Sequence, residues 1–219
     1  PREDAGAKGW GSVFQQSGRK RSSGTQMQAA INERLIEEAH RGKKVVRLKG
    51  GDPFIFGRGG EELLAAAEQG YAFEIIPGIT AAMAAACYAG IPLTHRHVSQ
   101  SVRFLTGHRV ADAQNFEWSD WARDDQTLVI YMALVSLATI QERLLAAGKS
   151  AATPSVLIEN ATLPSQREVF APLAELNQSV ISAYITGPSI IIVGQAVEIA
   201  QQAQQLLMQH DAGESTRIR

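Results

Sequence analysis

A chain of 219 residues that is 45% hydrophobic can bury a sizeable core, as one large or two small domains. Its formal charge of -1 sets up no basic field that would draw nucleic acid or an anionic membrane surface. One cysteine, Cys87, excludes an internal disulfide, and the small-apolar run Ala81–Ala89 is far short of the roughly 20 residues a membrane helix needs. Residues 1–24 are rich in Gly, Ser, Lys and Arg and read as loop. They lack the apolar stretch of a secretion signal, so a soluble cytoplasmic protein is expected. Thr25 is placed to cap a helix running to His40, with Ile31, Leu35, Ile36 and Ala39 as its apolar stripe and Gly42 as its stop.

Val45–Leu48 reads as a strand that breaks at Gly50-Gly51. Asp52-Pro53 then forces a turn, because Pro53 fixes its own φ and pushes Asp52 out of the helical region. The glycines Gly57, Gly59 and Gly60 lead into a helix from Glu61 to Gln69, ended by Gly70. Phe73–Ile76 reads as another short strand, and Pro77-Gly78 turns it into an alanine-rich helix that starts near Thr80 and stops at Gly90. Such a helix carries little side-chain bulk and can lie close to a sheet or a ligand. Ile91–Arg96 reads as a connector between two halves. Strands follow at Val102–Thr106, Leu128–Met132, Ser155–Glu159, Gln166–Phe170 and Ser189–Val193. Trp118 and Trp121 fall in a polar insertion, Ser136 is placed to cap a helix through Ala147, and a last helix starts at Ala196. The alternation argues an α/β protein, mostly parallel in its first half.

Strand, glycine-rich loop, helix is how an open α/β sheet presents backbone to a ligand. The loop carries neither GxxxxGK[ST] nor a GxGxxG that opens directly into a helix. The histidines lack zinc-like spacing and no serine sits in a GxSxG turn, so neither a metal centre nor a hydrolase triad is expected.

The wording KGGDPFIFGRGGEE, followed by PGITAA and GIPLTHR, resembles the uroporphyrinogen-III C-methyltransferases, which occur alone or as the C-terminal part of siroheme synthase. The resemblance runs from about Gly18 to about Ala200. It implies the two-lobed tetrapyrrole methylase fold, with an α/β lobe over residues 1–96 and a mixed-sheet lobe over 97–219. It also implies a homodimer and methyl transfer from S-adenosylmethionine (SAM) to C2 and C7 of uroporphyrinogen III. The product would be precorrin-2, on the way to sirohaem or cobalamin. By the same resemblance Gly50, Gly51, Asp52, Ile55, Thr80, Ala81, Met132 and Ala161 bind SAM, while Arg58, Glu61 and Arg96 face the tetrapyrrole. Arginine forks suit such a substrate, an octacarboxylate. Ala161 stands where the family has glycine, which a backbone contact survives only if φ there is negative.

Against the family pattern the chain reads as lacking an opening strand and a G-x-G-P-G-D loop, as a fragment or a degenerate copy would. It also has Gly18-Arg19-Lys20-Arg21 where the family has Gly-Lys-Arg. Arg19 falls on the family's proton-donor lysine and Lys20 one place off, and an arginine does not readily give up a proton. Weak SAM binding and slow or absent methylation are therefore expected. A corrinoid methyltransferase, a non-catalytic SAM- or tetrapyrrole-binding module and a dimerisation lobe are the alternatives.

Overall fold

The computed structural model describes residues 24–107 and 117–214, with side chains over 26–107 and 117–209. The chain forms two compact units: Arg47 and the chain before it with Glu61–Phe73, and Leu48–Gly60 with the chain from Glu74 onward.

In the first unit α1 (Gly24–His40) carries the expected apolar stripe. It starts at Gly24, so Thr25 lies inside the helix rather than ahead of it. Beside α1 runs most of α2 (Gly59–Glu68), held by a polar seam. Gln28, 6% exposed, donates to Asn32 at 2.8 Å and to Glu62 at 3.1 Å, and Arg47 pairs with the same Glu62 at 3.1 Å.

The second unit is built on one sheet of five strands: β1 (Ser101–Thr106), β2 (Gln126–Tyr131), β3 (Pro154–Glu159), β4 (Arg167–Pro172) and β5 (Ser189–Val193), in the order β1-β2-β5-β3-β4. β1 and β2 are parallel, and every other pairing is antiparallel, with Tyr131 opposite Ile190 and Glu159 opposite Ser189. Because side chains alternate across a strand, the apolar runs of the three central strands feed two separate cores. Leu128, Ile130, Leu157, Ile191 and Val193 face one core, with α4 (Trp118–Trp121), α5 (Leu137–Ala146) and α6 (Leu176–Ser182). Val129, Tyr131, Val156, Ile158, Ile190 and Ile192 face the other, with α3 (Ala81–Tyr88) and α7 (Ala196–Glu214). Each such side chain contributes about 1.5–3 kcal/mol when fully buried. Helix α3 lays Ala82, Ala85, Ala86 and Ala89 on the sheet, the spacing of one helical face.

Further sequence expectations are corrected. Val45–Leu48 and Phe73–Ile76 form no ladder, and Val46, Leu48 and Ile76 are exposed. Their apolar, β-branched character favours an extended chain, but a strand also needs a place in a ladder, and the five-stranded sheet of the described residues includes neither segment. Trp121 is buried in the first core and Trp118 packs against it, rather than both lying in a polar insertion. Ser136 makes no side-chain cap on α5; its hydroxyl donates instead to the Gly107 carbonyl at 2.8 Å. The 3-10 turn Leu173–Glu175 and α6 were not foreseen.

The end of β3 is latched by Glu159, 2% exposed. One carboxylate oxygen accepts from the N–H groups of Thr186 (2.9 Å) and Gly187 (2.5 Å), the other from Arg167 Nε (2.8 Å) and Nη2 (2.5 Å). Burial alone would raise its pKa, but the N–H groups of Gly187 and Thr186, with Arg167, together outweigh it and hold the carboxyl below the usual glutamate range. Its stabilising effect is therefore full above the unfolded pKa of about 4.3 and is lost as pH falls through the lower folded value. Glu159→Gln should lower stability by about 1–3 kcal/mol at neutral pH, the effect of leaving a buried donor without its partner. Thermal melts should also show the variant losing less than the parent chain as pH drops into the acid range.

Candidate active site

In an open sheet, ligand space lies outside the carboxyl ends of the strands. β2 and β3 both run antiparallel to the β5 between them, so their carboxyl ends and the start of β5 share one edge of the sheet. At that edge lies an open, mainly apolar cavity of about 490 Å³. It is walled by Tyr131 and Met132 after β2, Asn160 and Ala161 after β3, Gly187 before β5, and Ala81 at the start of α3. That volume falls within the roughly 300–1,000 Å³ of small-ligand sites.

Two wall residues adopt backbone that side chains normally avoid. Met132 has φ 52 and Asn160 has φ 51. Left-handed backbone costs a non-glycine residue about 1–2 kcal/mol and clusters at functional sites. Ala161, flanked by Asn160 and Thr162 at positive φ, is itself not among the positive-φ residues. A side chain there is tolerated, and a backbone contact remains open to a ligand.

The glycine-rich loop abuts the start of α3. A Cβ on Gly78 would overlap the Gly51 carbonyl oxygen, and Gly51 itself has φ 99 and lies against the backbone of Ile79–Ala81. Glycine is required at both places, by close approach at the first and by conformation at the second. Asp52 ties the two segments together. Its Oδ1 accepts from Phe54 N–H (2.9 Å) and Ile55 N–H (3.2 Å), and its Oδ2 from Gly78 N–H (3.3 Å). The Phe54 N–H, ahead of those of Gly78 and Ile55, holds this carboxyl below the usual aspartate range, against the opposing effect of burial. Both oxygens are thus committed to holding the loop.

Of the residues singled out from the sequence, Ala81, Met132 and Ala161 meet at the cavity. Thr80 is buried directly behind Ala81, and Ile55 packs against the core cluster that contains Tyr131. Gly50, Gly51 and Asp52 sit on the adjoining loop. Arg58, at φ 58 on that loop, and Arg96, exposed on the turn closed by His95 and Ser99, do not line the cavity. Glu61 begins the α2 portion of the first unit. Arg19 and Lys20 lie outside the described residues. Among the described residues, no three His, Cys, Asp or Glu side chains cluster as a metal site would require, and no helix is long and apolar enough to cross a membrane. Sequence reasoning passed over Tyr131 and Asn160, although each is the immediate neighbour of a residue it chose.

Comparison with known proteins bears on the same region. The profile of the Tetrapyrrole (Corrin/Porphyrin) Methylases matches residues 2–177. Siroheme synthase 2 of Halorhodospira halophila is 51% identical over 187 residues, which is 84% of this chain but 37% of that protein, so the chain spans little more than a third of that relative's length. Uroporphyrin-III C-methyl transferase of Thermus thermophilus, solved with S-adenyl homocysteine, is 33% identical with a TM-score of 0.68 over 78% of this chain and 75% of its own. A second structure of the Thermus thermophilus enzyme gives 36% identity and a TM-score of 0.70 over 80% and 74%. The chain belongs to the tetrapyrrole (corrin/porphyrin) methylases.

Proposed function

We propose that this chain methylates uroporphyrinogen III with SAM, at C2 and C7, to give precorrin-2. The observation that carries the reading is the meeting of Ala81, Met132 and Ala161 at one cavity of small-ligand size. Its apolar lining and lack of bulk at Ala81 suit an adenosyl group and a thioether chain, and the glycine-dependent loop adjoins it at the start of α3. Bound there, SAM supplies a methyl group already activated on a sulfonium cation. The chain's own part is then to position and to exclude water. Ile55 and Met132 would form the apolar wall, Gly50, Gly51, Thr80 and Ala161 would offer backbone or hydroxyl contacts, and Asp52 would hold the loop in shape. Arg58 and Arg96 would take substrate carboxylates as forks, and Glu61 is a further candidate for the substrate side. Arg19 and Lys20 are the candidates for proton handling. A cytoplasmic homodimer is the setting this reading carries with it.

The direct test is methyl transfer from labelled SAM to enzymatically generated uroporphyrinogen III. Slow transfer is expected, with Arg19 standing where the resembled family has lysine, and the tetrapyrrole product should carry label at both carbons. SAM binding with no transfer would overturn the enzymatic reading in favour of a binding module.

Two substitutions separate cofactor from substrate. Ala81 is exposed at the start of α3, so Ala81→Leu should keep the melting temperature while filling the cavity. Its affinity for S-adenosylhomocysteine, by calorimetric titration, should fall at least tenfold, a loss of about 1.4 kcal/mol. Arg96→Ala should leave that affinity intact and weaken tetrapyrrole binding by about 2 kcal/mol or more, the usual effect of unpairing a desolvated carboxylate. Equal loss of both ligands would remove Arg96 from the substrate side.

A further inference from the structure

A threonine at a helix N-cap ordinarily turns its own side-chain oxygen onto the N–H two or three residues on. Thr80 holds the N-cap position of α3 with extended backbone, φ -67 and ψ 148, yet makes no such bond. The N–H of Ala82, which it would have taken, donates to the Tyr131 hydroxyl at 3.1 Å instead. The Thr80 hydroxyl itself meets that phenol oxygen at 2.6 Å. A residue from the sheet therefore caps the helix in place of its own N-cap side chain.

We infer that Tyr131 is a positioning residue for the cofactor wall, capping α3 from β2 so that Thr80 and Ala81 stand where SAM meets them. The inference rests on the cofactor reading above. Tyr131 is only 7% exposed, so its hydrogen bonds compete little with water. The Ala82 N–H donates to the phenol oxygen, and in the Tyr131–Thr80 contact either hydroxyl can donate to the other. The same ring lies 4.8 Å, centroid to centroid, from Phe56 of the glycine-rich loop. Its backbone leads straight into Met132 at φ 52. Three stretches of wall, the loop, the start of α3 and the end of β2, are thus referenced to one side chain. Ala81 and Met132 both line the cavity that results.

The test compares S-adenosylhomocysteine affinity by calorimetry with steady-state kinetics in SAM, using the whole chain. Tyr131→Phe keeps the ring and removes the hydroxyl. Affinity should fall by roughly tenfold and KM for SAM should rise by the same factor, with kcat at saturating SAM close to that of the parent. Ile140→Val, in the core on the opposite face of the sheet, controls for a general loss of stability and should leave both ligand parameters unchanged. Thr80→Ser keeps the hydroxyl and should retain affinity. Thr80→Val breaks the same contact from the other side and should reproduce the loss, without adding to it in the double variant. It also serves if Tyr131→Phe fails to fold. A parent chain that binds S-adenosylhomocysteine with Tyr131→Phe equally tight would overturn the positioning role alone. Additive losses in the double variant would overturn it too, by showing that Thr80 acts on the ligand without Tyr131. A parent chain that binds no S-adenosylhomocysteine would overturn the cofactor reading and this inference with it.

Discussion

β2, β5 and β3 have no solvent face. Helices cover both sides of them, and the alternating side chains of all three strands are consumed by two cores. Ligand space on this sheet is therefore confined to strand ends, where the chain leaves the ladder and backbone is free to turn. Antiparallel β5 between two strands of common direction brings two departures and one arrival to the same edge. There the polypeptide adopts the left-handed backbone of Met132 and Asn160, which the ladder would not permit. A cavity between turns is only as well defined as the turns, so buried polar contacts around it do more than stabilise. Glu159 fixes the approach to β5 through the Thr186 and Gly187 amides, and Asp52 fixes the glycine-rich loop through three others. Asp52 reads as a binding group in the sequence, and in the fold both carboxylates act on the protein's own backbone.

This arrangement fits what methyl transfer asks of a protein. An activated donor needs no metal or covalent partner to react; it needs an apolar, correctly oriented berth and a nucleophile held in line. On the proposed reading Ala81 and Ala161 would supply space rather than chemistry, and neither residue type attracts notice as a functional group.

How much was legible follows the range of the interactions. The apolar runs of β2, β3 and β5 and the glycines closing α1, α2 and α3 are local signals, and they were read correctly. Val45–Leu48 and Phe73–Ile76 carry the same β-prone composition but form no ladder, because a strand is a property of two segments and composition reports one. Ser136 looked like a cap, but its hydroxyl went to Gly107, 29 residues upstream. The Tyr131–Thr80 contact spans 51 residues, and nothing near either residue announces it. Asp52, by contrast, bonds the N–H groups two and three residues on, so its loop-forming part was accessible to turn chemistry alone. The proposed cofactor positions came from the wording of the motifs, since an alanine or isoleucine has no functional signature by itself.

The central claim is that SAM lies at the carboxyl ends of β2 and β3, against the start of α3. A crystal structure of the chain with S-adenosylhomocysteine addresses it most directly. The account predicts ligand density in the cavity bounded by Ala81, Met132 and Ala161, with the Gly50–Asp52 backbone at its side. Ordered ligand at any other place on the molecule, with that cavity left to solvent, would contradict it.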